Sequence, residues 1–474
     1  MKRYAAALAL AIFGGAGLLR FPETTPVLHA QFVDPCAGVV APAAPGISPR
    51  STLLEAGVVK TRGLDPDPRG RHLDGLWKHR MAVSRRPSAI APLEAASQDI
   101  GEIAVLQDVG DLITRANPLD LADAAVRFRP NASGGYGVEQ APYGFRQQLG
   151  EAFALADDDT REMALPFVFT FFGQQHDRVF VNSDGNLTFT EPDTASSARS
   201  VSRFLAGPPR LAPLFADLDP STGGKMLAFG DSERFSVTWC GVHEWDKPES
   251  ATMQITLLAD GLIEVHVSGQ TTIRQAVIGA SPGRTADFVI ADFSSAAGNA
   301  GGAGAIGESF SDTSDLDMIG VSRRFLATHP DEFDQLIVFT EEPLLTDAFA
   351  YEVTVSNDIS GLGMATYSHA SAYGSAGRLQ SMQNMDALSK YPDDPRRRFH
   401  GQNSTVGLLG HEFGHRWLAF LTFRDGNSQA SQALLGRDQA HWSFFFDSDA
   451  SVLEGNDIVD HGGGSFSTRA AVQR

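Results

Sequence analysis

Cysteine is almost absent from this chain: only Cys36 and Cys240 occur among its 474 residues. Two cysteines exclude a sulfur-rich zinc site, which would need three or four thiolate ligands. In an exported chain the two residues could form a disulfide. The sequence does not fix the distance between them in the fold, so the paired and the reduced states both stay open.

Basic residues are also few compared with acidic ones. The chain has 38 Lys and Arg and 57 Asp and Glu, which gives a net charge of −19. Nucleic-acid-binding proteins need a basic surface, so we expect no nucleic-acid partner. The same charge gives no attraction to anionic membranes. After residue 30 no apolar run reaches the roughly 18 residues of a membrane span, so we expect no integral span in the mature chain.

The N-terminus has the three parts of an export signal. Lys2 and Arg3 are followed by an apolar run over residues 5–19, and Ala30 offers a small residue for cleavage before Gln31. A membrane anchor is the alternative, but the run is short for a bilayer. We therefore predict a signal peptide over residues 1–30 and a secreted or periplasmic protein.

The length of the chain predicts two or three domains. Residues 31–115 are rich in Pro and Arg, which is typical of a linker, with a pro-segment as the alternative. Apolar spacings of three and four predict one helix within it, over residues 100–113. The expected order after this segment is a β-sandwich over residues 116–295, a Gly/Ala-rich linker over 296–330 and an α+β domain over 331–474.

Short strand-like runs separated by turn residues fill the middle of the chain. Residues 182–185 (NSDG) and the pair Asp260-Gly261 are hairpin signals flanked by alternating apolar and polar residues, as in an antiparallel sandwich. Over residues 160–285, the runs LPFVFTFFGQQHDRVFVNSDGNLTF, LAPLFADLDP, ERFSVTW and ADGLIEVHV resemble the successive strands of nidogen-like domains. The resemblance implies an extracellular interaction module, whose partner would be a protein or a glycan. Asp217 and Asp219 could bind calcium or could be ordinary turn residues.

The last region begins with strand-like runs at residues 334–340 and 348–355, and residues 377–391 are typical of a helix or a loop. A further helix is predicted over residues 406–423, because capping residues precede it and Asp425-Gly426 follows it.

This helix carries the motif HEFGH. His411 and His415 are four residues apart and so lie on one helical face, where two imidazoles can bind one zinc ion. Glu412 is close enough to take a proton from a water on that ion. The alternative is two core histidines with a buried Glu between them, which would bury a carboxylate without benefit.

On a helix that follows β-strands, HEFGH resembles the zincin metallopeptidases. The resemblance implies that His411 and His415 are zinc ligands and that Glu412 is the general base. Metzincins extend the motif by a Gly and a His, where this chain has Leu418 and Leu421. That subclass is therefore excluded.

The third ligand must then lie elsewhere in the chain. We rank His441 first, although it could instead cap a strand. Glu454, the residue type that gluzincins use, comes second, and Asp447 is third. Asp447 and Asp449 could also orient a ligand histidine without binding the metal themselves.

The sequence thus predicts an exported zinc peptidase that acts on peptides or proteins. The alternatives are a secreted adhesion or interaction protein with a vestigial metal site, and a hydrolase of another kind with the same metal chemistry. Fifty-nine residues follow His415, fewer than the lower subdomain of a zincin usually needs. We therefore expect the zincin-like domain to be either minimal or incomplete at its C-terminus.

The N-terminal pattern generates a first prediction. The mature protein should begin near Gln31 and be recovered outside the cytoplasm, because a signal peptidase cleaves after the small residue that ends such a segment. N-terminal sequencing of native material tests this, and a sequence that begins at Met1 would contradict it.

Overall fold

The computed structural model describes residue 36 and residues 68–84, 97–100, 103–295, 301–344, 348–401, 403–436, 441–449 and 451–468. The signal peptide expected over residues 1–30 lies outside the described residues. Within the described ranges, no helix has the length and apolar character needed to cross a membrane.

Strands outnumber helices throughout the described chain. Up to residue 206 the elements are α1 (Pro68–Ser84), β1 (Ser97–Ile100), β2 (Ile103–Leu106), β3 (Ile113–Thr114), β4 (Ala124–Pro130), β5 (Tyr136–Ala141), β6 (Glu151–Phe153), β7 (Thr160–Phe171), β8 (Gln174–Asn182), β9 (Asn186–Thr188) and α2 (Val201–Ala206). Up to residue 326 they are β10 (Arg210–Phe215), β11 (Leu218–Asp219), β12 (Lys225–Gly230), β13 (Arg234–Glu244), β14 (Ser250–Leu258), β15 (Ile263–Val267), β16 (Ala276–Ser281), β17 (Phe288–Ile290), β18 (Ala305–Phe310), β19 (Asp315–Leu316) and α3 (Met318–Leu326).

The remaining elements belong to the C-terminal part. The strands are β20 (Gln335–Thr340), β21 (Tyr351–Thr354), β22 (Ser356–Asn357), β23 (Tyr367–Ser368), β24 (Ser381–Ala387), β25 (Arg398–His400), β26 (Asn403–Ser404), β27 (Phe423–Arg424), β28 (Ala430–Ser431), β29 (Trp442–Asp447), β30 (Glu454–Asn456), β31 (Ile458–Asp460) and β32 (Phe466–Thr468). Helix α4 (Thr405–Gly414) and two 3₁₀ turns, Ala370–Tyr373 and Leu388–Lys390, complete the set.

Two β-sheets form the sandwich. The first has seven strands in the order β17-β18-β16-β10-β9-β8-β7, and the second has eight, in the order β5-β4-β15-β14-β13-β12-β6 with β11 beside β13. Their apolar faces share one core, in which Val179 and Leu211 of the first sheet pack with Trp239 and Ile255 of the second. Both predicted hairpins are present, since β8 pairs with β9 across residues 182–186 and β14 pairs with β15. The β-sandwich is therefore confirmed.

The sandwich extends beyond its expected C-terminal boundary. Residues 305–310, which we expected in the linker 296–330, form β18 between β16 and β17. Glycine suits position 307 of this strand, because a Cβ added there would lie 2.9 Å from the Ile278 carbonyl oxygen of β16 and 3.3 Å from the Phe204 ring. The residue therefore allows close packing here instead of chain flexibility, and the linker expectation is wrong for residues 305–310.

The segment expected to be a linker also contains a buried helix. Leu73, Trp77 and Met81 of α1 pack in a second core with residues of α2 and the seven-stranded sheet. The Trp77 ring stacks on Phe288 with 5.0 Å between ring centroids, and its Nε1 donates to Ser309 Oγ at 2.9 Å. Residues 68–84 therefore belong to the folded body of the protein.

Two predicted helices, and the segment 377–391 expected to be a helix or a loop, need correction. Residues 97–106 form the β1–β2 hairpin, and 113–114 form β3, where one helix was expected over 100–113. Exposure alternates along β2, which is the period of a strand. Residues 381–387 form β24, a fully buried strand that joins β20 in parallel and β21 antiparallel. Helix α4 ends at residue 414 instead of 423, and Ala419 has a positive φ of 65°, which an α-helix cannot contain.

The two cysteines form a disulfide. Their Cα atoms are 5.5 Å apart, and 204 positions of sequence separate them. The distance is ordinary for a disulfide. The bond fastens residue 36 to β13, which answers the question that the sequence left open.

Trp77 generates the second prediction. Trp77→Ala should lower the free energy of unfolding by about 3–5 kcal/mol, because it removes a large buried ring and leaves a cavity. Urea unfolding followed by circular dichroism measures the change. Val83→Ala on the same helix is the control, since that side chain is 45% exposed and should change stability by less than about 0.5 kcal/mol. Equal effects of the two substitutions would contradict the role given to α1.

Candidate metal centre

Helix α4 presents the first two histidines. Its N-cap is Ser404, whose Oγ accepts a hydrogen bond from Gly407 N at 3.1 Å. His411 lies in the last helical turn, and His415 is the C-cap, with its N–H bonded to the carbonyl of His411. The two imidazoles therefore lie one turn apart on the same face.

His441 joins them from the residue before β29. Its Nε2 lies 3.1 Å from His411 Nε2, and His415 Nε2 lies 3.2 Å from the same atom. The three ring centroids are 4.9, 5.0 and 4.9 Å apart. Three imidazole nitrogens thus surround one point, although 26 positions of sequence separate His441 from His415.

The distances between these nitrogens suit zinc. With Zn–N bonds of about 2.0–2.1 Å and tetrahedral angles, two ligand nitrogens lie about 3.3 Å apart. Three histidines also leave a fourth position for water or substrate, which is the pattern of a catalytic zinc site. The donor set therefore fits the metal that the motif implies.

The other candidate ligands lie elsewhere. Asp447 groups with Asp449 and Asp457, apart from the three histidines, and its Oδ1 accepts from Ile458 N at 3.1 Å. Glu454 is exposed and has a φ of 67°. In the sandwich, Asp217 forms an ion pair with Arg199 at 2.9 Å, and Asp219 accepts two bonds from Ser221 as a turn residue does.

A short segment between β29 and β30 orients the candidate ligands. Val452 O lies 2.6 Å from His411 Nδ1. A carbonyl can only accept, so Nδ1 carries the proton and Nε2 keeps its lone pair for a metal. Leu453 O accepts from Trp442 N at 3.0 Å, next to His441. The Leu453 side chain fills the space beside Gly414, where an added Cβ would lie 3.3 Å from it.

Glu412 is buried next to this centre, with 5% of its surface exposed. Burial raises its pKa to about 8; the Glu352 carboxylate acts in the same direction, while His441 and Arg71 oppose it. A cation held by the three histidines would also lower this pKa. Burial and the adjacent His411 lower the pKa of His415 well below its usual value, which favours the neutral form that binds metals.

The sequence did not indicate several residues that lie around the candidate metal centre. Glu352 of β21 is buried, and its Oε2 lies 3.3 Å from Arg71 Nη1 of α1. Arg416 follows the second histidine and is fully buried, and it donates to Asn357 Oδ1 at 3.3 Å and to Gln380 Oε1 at 3.2 Å. These bonds hold the residues that follow α4 against β22 and the start of β24. Their partners are distant in sequence, so no local pattern indicates them.

The geometry generates the third prediction. The purified protein should bind about one zinc ion per chain, and His441→Ala should weaken zinc binding by more than about 100-fold, since loss of a residue that merely supports a ligand costs about 10- to 100-fold. Competition with a chromophoric chelator measures the affinity.

His461→Ala is the matched control, because His461 is exposed and bonds to Ser467. Zinc affinity of the His441→Ala protein equal to that of this control would rule out His441 as the third ligand.

Comparison with known proteins identifies only the sandwich. Residues 135–306 match a family model described as NIDO related. No curated protein and no solved structure matches the chain. The matched segment supports a nidogen-like module and includes none of His411, Glu412, His415 and His441.

Proposed function

We propose that this protein is an exported zinc-dependent peptidase that hydrolyses peptide bonds, with Glu412 as the general base. The observation that carries the proposal is the approach of His415 Nε2 and His441 Nε2 to within 3.1–3.2 Å of His411 Nε2, next to a buried glutamate. A histidine triad of this geometry is suited to a catalytic metal more than to a packed core, where each imidazole needs its own hydrogen-bond partner.

Each residue of the site has a separate role in the proposed reaction. Zinc bound by the three imidazoles would supply Lewis acidity and lower the pKa of a water molecule toward neutrality. Glu412 would accept the proton of the attacking water and pass it to the leaving amine. Val452 O holds His411 in the ligating tautomer. Arg416 holds the helix end in place.

Two further observations support export and a peptide substrate. The Cys36–Cys240 disulfide is typical of oxidising compartments. Exposed apolar side chains follow His415 in sequence, namely Trp417, Leu418 and Leu421, and Val452, whose carbonyl contacts His411, is exposed as well. An exposed apolar surface of this kind is suited to apolar side chains of a bound peptide.

The second candidate is a secreted interaction protein, and the NIDO-related match favours it. Its partner would be an extracellular protein or glycan bound by the sandwich, and the histidine triad would be vestigial. Metal content separates the two candidates: purified protein without zinc would favour the interaction module. A zinc protein that cleaves esters or non-peptide amides but no peptide would instead be a hydrolase of another kind with the same metal chemistry.

The fourth prediction concerns Glu412. Glu412→Gln should keep zinc binding and lower the rate of peptide hydrolysis by about two to four orders of magnitude, because the amide has the same shape but cannot accept the proton. Cleavage of a fluorogenic peptide library, with zinc content measured on the same samples, tests both parts.

Glu341→Gln is the control, since Glu341 is exposed and is not one of the residues described above around the three histidines. If the Glu412→Gln protein cleaved a peptide as fast as the parent does, the proposed mechanism would be wrong.

A further inference from the structure

A cavity of 320 Å³ lies between α1, the seven-stranded sheet and β21. Its apolar lining comes from all three, and includes Trp77, Met81, Val277, Phe310 and Val353. Small-molecule sites have volumes of about 300–1,000 Å³ and are mainly apolar with a few polar groups. None of the three histidines or Glu412 lines this cavity, although Arg71 and Glu352, which act on the pKa of Glu412, do.

Two residues that line the cavity carry buried hydrogen-bond donors. The hydroxyl of Tyr373 and the Nε–H of Arg71 have no hydrogen-bond partner among the described residues. Tyr373 is completely buried. Leaving such a donor unsatisfied costs about 1–3 kcal/mol. Both groups would be satisfied by an acceptor oxygen of a bound molecule.

The buried and half-buried charges that line the cavity are already compensated. Arg71 pairs with Glu352 at 3.3 Å, and Lys78 pairs with Asp315 at 2.6 Å and Asp74 at 2.9 Å. Arg199, also in the lining, pairs with carboxylates of the sandwich. Arg115, which lines the cavity as well, is exposed to solvent. A charged ligand would upset the balance of the buried pairs, so an uncharged one is favoured.

Gly75 keeps part of the cavity open. It lies within α1, where glycine costs about 1 kcal/mol relative to alanine. A Cβ added there would meet Tyr373 Oη at 3.5 Å and Ile319 Cδ1 at 3.8 Å, which are ordinary contacts. Alanine would therefore fit, whereas a longer side chain would occupy the space next to the Tyr373 hydroxyl.

We propose that this cavity binds a small, uncharged and mainly apolar molecule whose carbonyl oxygen accepts hydrogen bonds from the Tyr373 hydroxyl and Arg71 Nε. The proposal rests on the cavity alone and does not depend on peptidase activity or on zinc.

The test uses the full chain and the probe Prodan, an uncharged naphthalene ketone whose fluorescence shifts to the blue in apolar surroundings. The parent protein should bind it saturably at one site. Tyr373→Phe should weaken binding by about threefold to tenfold, the worth of one neutral hydrogen bond. Gly75→Leu should weaken it by more than about tenfold because the side chain fills the space.

Gly75→Ala is the matched control and should keep the affinity of the parent within about twofold, with a higher melting temperature. Circular dichroism verifies that each variant is folded. If Gly75→Leu does not fold, Tyr373→Phe decides the question, since it removes a single oxygen atom. Absence of saturable binding, or an unchanged affinity in Tyr373→Phe, would overturn the proposal.

Discussion

The packing of helix α1 is the constraint on which the rest of the structure depends. One face of this helix places Trp77 against Phe288 and Ser309 of the sandwich. Its N-terminal turns place Arg71 against Glu352 and stack His72 on His369, with ring centroids 3.6 Å apart. The helix therefore packs against both the sandwich and the region that carries the histidines. The cavity lies along the same helix, between it, the seven-stranded sheet and β21.

Sequence patterns predicted those parts of the fold that depend on neighbours along the chain. Hairpins around residues 182–186 and Asp260-Gly261 are local, and so is the spacing that places His411 and His415 on one face. Strand β24 was missed because its polar residues Gln383, Asn384 and Asp386 are buried by distant partners. Helix α1 could have been found: Leu73, Trp77 and Met81 recur every four residues, but the surrounding Pro and Arg suggested a linker.

In the candidate metal centre, too, some features are predictable from the sequence and others only from the fold. The sequence ranks His441 above Glu454 and Asp447, but only the fold places its Nε2 3.1 Å from His411 Nε2. The carbonyl of Val452 and the pair formed by Arg71 and Glu352 have no signature in sequence, because any residue has a carbonyl and buried ion pairs join distant segments. A motif therefore indicates which residues could bind the metal or transfer a proton. The surrounding fold determines how these side chains are oriented and how far their pKa values are shifted.

The disulfide between Cys36 and Cys240 has a mechanical consequence. It closes a covalent ring over 204 positions of sequence that contains α1 and the strands from β1 to β12. When the chain is pulled at its two ends, tension passes across the sulfur atoms and bypasses everything inside the ring. Tension along the covalent chain therefore does not stretch the first half of the sandwich, which is loaded only through its hydrogen bonds to the strands after Cys240.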